Sequence, residues 1–187
     1  MAGTIEICNN ALILLRAEPI MDIDEANDRG VACKQFYQPT VDGVLRSFPW
    51  NCATIRVQLI RLVDAPVYGF SYQFTLPVDP FCLRVLEIED QDVDTVYKIE
   101  GRKLLIDEDS VKIKYIGRID EGDFDSLLTQ TISAKLASYL CHAITGKANL
   151  FDSMMKLYQY CLDEAKSVDS QEGTAESIEN EILLTVR

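Results

Sequence analysis

The chain has 187 residues, 48% hydrophobic and 26% charged, which suits one globular domain whose core needs no disulfide or metal staple. Thirty acidic side chains stand against eighteen basic ones, a formal net charge of −12. That balance argues against sequence-specific nucleic-acid binding, which needs Lys and Arg at the phosphates, and against docking to an anionic membrane.

The N-terminus has no basic stretch followed by an apolar run, which predicts no signal peptide. Residues 4–16 place Ile5, Cys8, Leu12 and Leu15 at helical spacing, and Glu18-Pro19 ends that segment. Asp22 and Asp24 are candidate caps for a second helix over 24–47, with a stripe of Ala26, Gly30, Cys33, Tyr37, Val41, Val44 and Phe48. Pro39 falls inside it and predicts a kink or break near 36–39.

From about residue 51 the period becomes two. Ile55, Val57 and Leu59 alternate with polar residues, as do Tyr68, Phe70, Tyr72, Phe74 and Leu76. Leu83, Val85, Leu86 and Ile88 read as the next strand, and Glu100-Gly101-Arg102 between apolar runs reads as a hairpin. Val111, Ile113 and Tyr115 close the series, and the short links favour an antiparallel meander.

Helical spacing returns in Leu128, Ile132, Leu136, Tyr139, Leu140 and Ala143, with Gly146 at a C-cap position. A last helix carries Leu150, Met154, Leu157, Cys161, Ala165 and Val168, with Asn149 as its cap. Two amphipathic helices joined by a short loop should pack antiparallel. The fold class expected is therefore α+β, an antiparallel helical bundle (1–50 and 118–168) with an inserted antiparallel β-sheet (51–117).

Residues 169–187 differ. Asp169, Glu172, Glu176, Glu179 and Glu181 precede an apolar tip, Ile182-Leu183-Leu184-Thr185-Val186. An acidic stretch with so little to bury does not offset its own ordering entropy. The tip, with Ile182, Leu183, Leu184 and Val186, is the candidate partner-binding site, docking in a groove or on a sheet edge of another chain.

Catalytic and metal constellations are thin. The single histidine, His142, adjoins Cys141, but neighbours on a helix point about 100° apart, a poor start for a cysteine hydrolase. Gly69-Phe70-Ser71-Tyr72-Gln73 lacks the second glycine of a nucleophile elbow. Asp90-Gln91-Asp92-Val93-Asp94 opens like a calcium loop but has Thr95, Lys98 and Gly101 where glycine, a neutral position and glutamate belong. Asp107-Glu108-Asp109 and the Asp120–Asp125 cluster read as solvated turns and caps. The six cysteines, at 8, 33, 52, 82, 141 and 161, show no paired spacing and read as small buried side chains in a reducing compartment. No catalytic residue, metal or cofactor is expected.

Several stretches taken together resemble a known family. They are IEICNNALILL, DEANDRGVACKQFYQPTVDGVLRSFPWNCAT, YGFSYQFTLPVDPFCLRVLEIED, and YKIEGRKLLIDEDSVKIKYIGRIDEGDFDSLLTQTISAKLASYLCHAITG. Their order is similar to that of the tail tubular protein A family, the head-to-tail adaptors of short-tailed phages, over about residues 4–168. The carriers are Phe48-Pro49-Trp50, Tyr72 through Leu76-Pro77 with Asp79, Leu83-Arg84-Val85, and Ile99-Glu100-Gly101 followed by a two-helix return. Pro39, inside a helix expected to be continuous, and Pro80-Phe81 depart from the pattern. The resemblance implies a structural virion protein, not an enzyme, that is soluble in the host cytoplasm before assembly at the head–tail junction. It implies a ring of identical subunits, typically dodecameric, between the portal protein and a tail nozzle (tubular protein B-like) protein, with DNA passing through the ring. Two rival readings stand beside it: another phage head-completion or stopper ring protein, and a non-viral peptide- or glycan-binding module.

Overall fold

The computed structural model describes residues 3–89 and 96–172. The chain is α+β: the described residues form helices α1 (Thr4–Leu14) and α2 (Asp28–Ser47), seven antiparallel strands, then helices α3 (Ser126–Thr145) and α4 (Ala148–Asp169). The strands are β1 (Thr54–Gln58), β2 (Ile60–Arg61), β3 (Tyr72–Thr75), β4 (Cys82–Ile88), β5 (Lys98–Glu100), β6 (Lys103–Ile106) and β7 (Lys112–Gly117).

Helix α3 is the axis of the bundle, packing against α1, α2 and α4. It is buried on nearly every side rather than along one stripe, while Tyr139 and Ala143, expected inward, are exposed. Small polar residues fill its other faces because their hydroxyls find partners within the helix. Thr131 donates to the Leu127 carbonyl (2.8 Å), Ser133 to Thr129 (2.8 Å) and Ser138 to Lys135 (2.7 Å). Gly146 takes the left-handed conformation (φ 62°) that ends α3, and α4 turns back antiparallel. Helix α4 begins at Ala148, one residue before its expected cap Asn149, and buries Leu162 beside Met154 and Ala165.

Helix α1 buries Ile7, Cys8, Ala11 and Leu12, whereas Ile5 faces outward. Asn9 holds the returning chain by two bonds to the backbone of Ile20 (2.9 and 2.8 Å). Helix α2 is capped by Asn27, not Asp22 or Asp24: its side chain accepts from the Gly30 N–H (2.8 Å). The helix runs unbroken through Pro39. Both Pro39 and Gln35 are exposed, which places the carbonyl that the proline leaves without a donor on the solvent side of the helix.

Gly30 is required by contact, since a Cβ there would lie 2.4 Å from the Glu25 carbonyl oxygen. Glu25 is itself held by its carboxylate, which accepts from the Met21 and Asp22 N–H groups. Gly30→Ala should cost on the order of 1–3 kcal/mol of unfolding free energy despite alanine's better helix propensity. A urea midpoint equal to or above wild type would refute the clash.

The strands are antiparallel as expected, but not a meander and not one sheet. The first sheet runs β1-β7-β4 and the second β2-β3-β6-β5. The chain crosses between them at buried Leu59, whose N–H donates to the Val111 carbonyl (2.8 Å). Phe74, Leu104 and Ile106 of the second sheet share one core with Ile113 and Tyr115 of the first. A single meander would leave one of these apolar faces in water. The aromatic alternation forms a strand only from Tyr72, and Tyr68 is 87% exposed. Two register shifts in β4 explain why Val85 and Leu86 are both apolar. The expected hairpin is present: Glu100 pairs with Lys103, and Gly101 and Arg102 both have positive φ (51° and 64°).

Arginines join the β-region to the bundle. Arg46, at the end of α2, donates to the Leu83 carbonyl, and Arg84 donates back to the Arg46 carbonyl (3.1 Å). Arg102 donates to the carbonyls of Cys82 (3.2 Å) and Pro77 (2.6 Å). The Phe81 ring lies between Arg102 (3.8 Å) and Arg118 (4.8 Å), and Arg118 forms a two-bond ion pair with Asp42 (2.8 and 2.5 Å).

Candidate interaction surface

The residues weighed for catalysis are placed apart or given structural work. Cys141 is fully buried, its Sγ 3.5 Å from both the Thr145 Oγ1 and the Lys147 carbonyl, while neighbouring His142 is exposed. Ser71, in the expected strand, precedes β3, and its N–H donates to Asp107 (2.7 Å). In the Asp120–Asp125 cluster, Glu121 accepts from Thr4 Oγ1 (2.8 Å) and the Tyr37 hydroxyl (2.9 Å), tying α1 and α2 together. Burial raises the Glu121 carboxyl's pKa, but a backbone N–H and these two hydroxyls outweigh it and hold it below the usual range. Asp125 caps α3 by accepting from Leu127 and Leu128 (2.7 and 2.8 Å). Among the described residues no group of three or more His, Cys, Asp or Glu is placed to hold a metal ion. The calcium-like stretch Asp90–Asp94 lies outside the described residues.

The buried and half-buried thiols and phenols give the fold a pH limit. Burial pushes the Cys52 thiol up to about 11 and raises Cys82, Cys161, Tyr115 and Tyr158. Tyr37 is raised by burial and by its bond to Glu121; Cys8 is raised by its contact with the Cys33 thiol and then by burial. These groups keep their protons in the fold, whereas the unfolded chain releases them above about pH 9–10. The stability these protons carry is therefore fully present below the ordinary thiol and phenol range and falls as pH rises through it, for Cys52 up to about 11, while the Cys33 thiol, lowered by its contact with Cys8, acts in the opposite sense. Urea midpoints under reducing conditions at pH 8 and 10.5 should show the drop; equal midpoints would contradict it.

What the surface offers is apolar area on the β-region. Ile60 is 78% exposed, and Val63 and Val67, in the β2–β3 connection, are essentially bare. This connection stands over the outer face of the second sheet and borders an open pocket of about 340 Å³ lined by Val67, Tyr68, Phe70, Lys98 and Lys103. A second cavity, about 670 Å³, lies where the end of α1 meets the α3–α4 turn, lined by Leu14, Arg16, Lys147 and Leu150. Periodicity flags neither, because each joins the ends or outer faces of separate elements to a connection. The proposed contact residues Ile182, Leu183, Leu184 and Val186 lie outside the described residues. Asp169, read as the start of the tail, belongs to α4: it is buried, accepts from the Asn51 N–H (3.0 Å), and its carbonyl accepts from the Asn51 side chain (2.6 Å). Burial raises its carboxyl's pKa above the usual range.

No protein-family model matches the chain, and no curated protein matches it. Among the described residues no helix is long and apolar enough to cross a membrane.

Proposed function

We propose that the chain is a structural subunit of a phage head-to-tail adaptor, binding a portal protein above, a tail nozzle protein below and copies of itself in a ring. The observation carrying this reading is the co-linear set of quoted segments on a chain that folds as helix pair, β-region, helix pair, the order the resemblance implies. Two details support it. The continuous α2 removes the departure that Pro39 posed. The Phe48-Pro49-Trp50 segment is the hinge into β1, with Trp50 fully buried. The virion head–tail junction is the location this reading gives. A net charge of −12 suits a conduit through which DNA slides without being held.

The same charge opposes free self-association, so the isolated chain should be largely monomeric at low concentration and close into rings on a portal template. Electron microscopy of the protein mixed with purified portal particles tests this. Added density at the portal's tail-facing end is the expected result, and bare portals at saturating protein would sink the reading. A head-completion ring protein would instead add its density to a preformed adaptor.

A further inference from the structure

We propose that the arginine corner between the bundle and the β-region is a receptor for an acidic turn of a neighbouring copy, Asp107-Glu108-Asp109. This rests on the ring reading and names the contact through which adjacent subunits meet.

The corner gathers four guanidinium groups around Phe81, Cys82 and Leu83. Only Arg118 has a carboxylate, Asp42. Arg46, Arg84 and Arg102 are held by carbonyl oxygens and a ring face, and none forms an ion pair among the described residues. Asp79, in the turn beside them, pairs with none of them either. Carbonyls and a ring fix these groups without neutralising them, so a concentrated positive charge persists on a chain of net charge −12. Each fork keeps N–H groups suited to two-point contact with carboxylates.

The acidic turn sits at the other end of the same strands. Strand β7 starts just after it and ends at Gly117, opposite Cys82. The six residues of β7 place the two sites roughly 20 Å apart, so one copy does not satisfy itself. Several other acidic groups are already engaged: Glu18 with Arg29, Asp24 with Lys34, Asp125 with the start of α3. Residues 107–110 are all exposed, and Glu108 and Asp109 hold no hydrogen bond or ion pair among the described residues. A basic corner and an acidic turn at opposite ends of one chain make a head-to-tail contact, the kind that closes rings.

The test is charge exchange, read by sedimentation equilibrium in about 0.1 M salt, where the Debye length is ~10 Å, at the highest soluble concentration. Wild type should show weak, concentration-dependent association. Glu108→Arg with Asp109→Arg should weaken it at least about tenfold, as should Arg46→Glu with Arg84→Glu, and an equimolar mixture of the two variants should recover it. If the corner variant does not fold, the turn variant decides alone. A strictly monomeric wild type, variants that associate like wild type, or a mixture no tighter than its components would overturn the proposal. So would duplex DNA binding at the corner, lost in the corner variant, without self-association. Portal recruitment separates the two readings. Wild-type and turn-variant chains recruited equally would remove this contact and leave the adaptor reading. Charge exchange without recruitment by portal would do the reverse.

Discussion

Trp50→Ala should lower the unfolding free energy by about 3–5 kcal/mol, the range for removing a large aromatic from a packed core. Trp50 is fully buried, its indole N–H donates to the Val44 carbonyl (3.0 Å), and its ring meets Phe48 edge-on at 5.0 Å. The next residue, Asn51, holds Asp169 at the end of α4. The side chain therefore fixes the point where α2 ends, β1 begins and α4 is anchored, and a cavity there loosens three elements at once. Trp50→Phe separates the contributions. It keeps most of the volume and removes only the indole's bond to the Val44 carbonyl, which still accepts from the Ser47 hydroxyl (2.7 Å), and should cost about 0.5–1.5 kcal/mol. Urea unfolding followed by circular dichroism measures both. A loss under 1 kcal/mol for the alanine variant would mean that the hinge is held elsewhere.

The elements were legible in the sequence where side-chain periodicity and turn chemistry agree. Helix α3 ends at its expected Gly146 cap, and Gly146 and Gly101 take the positive φ for which glycine is suited. What failed follows from three physical causes. Periodicity identifies a helix but not how many neighbours cover it, so the α3 stripe reads as amphipathic although Ser133 and Ser138 are buried with satisfied hydroxyls. Alternation identifies strands but not their partners: β1 and β7, far apart in the chain, pair along five residues. The alternation of Tyr68 and Phe70 continues past the end of pairing, because nothing in the residue types marks where the partner strand stops. The candidate site was less legible still. Arg46, Arg84, Arg102 and Arg118 come from four separate segments, and only the fold brings them to one corner.

Deleting residues 173–187 should leave the melting temperature of the free protein nearly unchanged and largely abolish recruitment by portal particles. The cut belongs after Glu172 because the fold engages the chain up to Asp169, where Asn51 is bound through backbone and side chain. The removed stretch holds three acids, Glu176, Glu179 and Glu181, and the apolar run from Ile182. Burying Ile182, Leu183 and Leu184 in a partner contributes about 1.5–3 kcal/mol each. Ordering the backbone costs roughly 1–2 kcal/mol per residue, so one copy binds weakly. Repeated around a ring, that small surplus becomes avidity, which makes the effect of deletion large for the assembly and small for the monomer. Asp169→Ala is the complementary variant: it should lower the melting temperature by removing the carboxylate that accepts from the Asn51 N–H while leaving portal recruitment intact. If the truncated chain instead melts lower and still joins the portal, the tip belongs to its own core and the contact surface lies elsewhere.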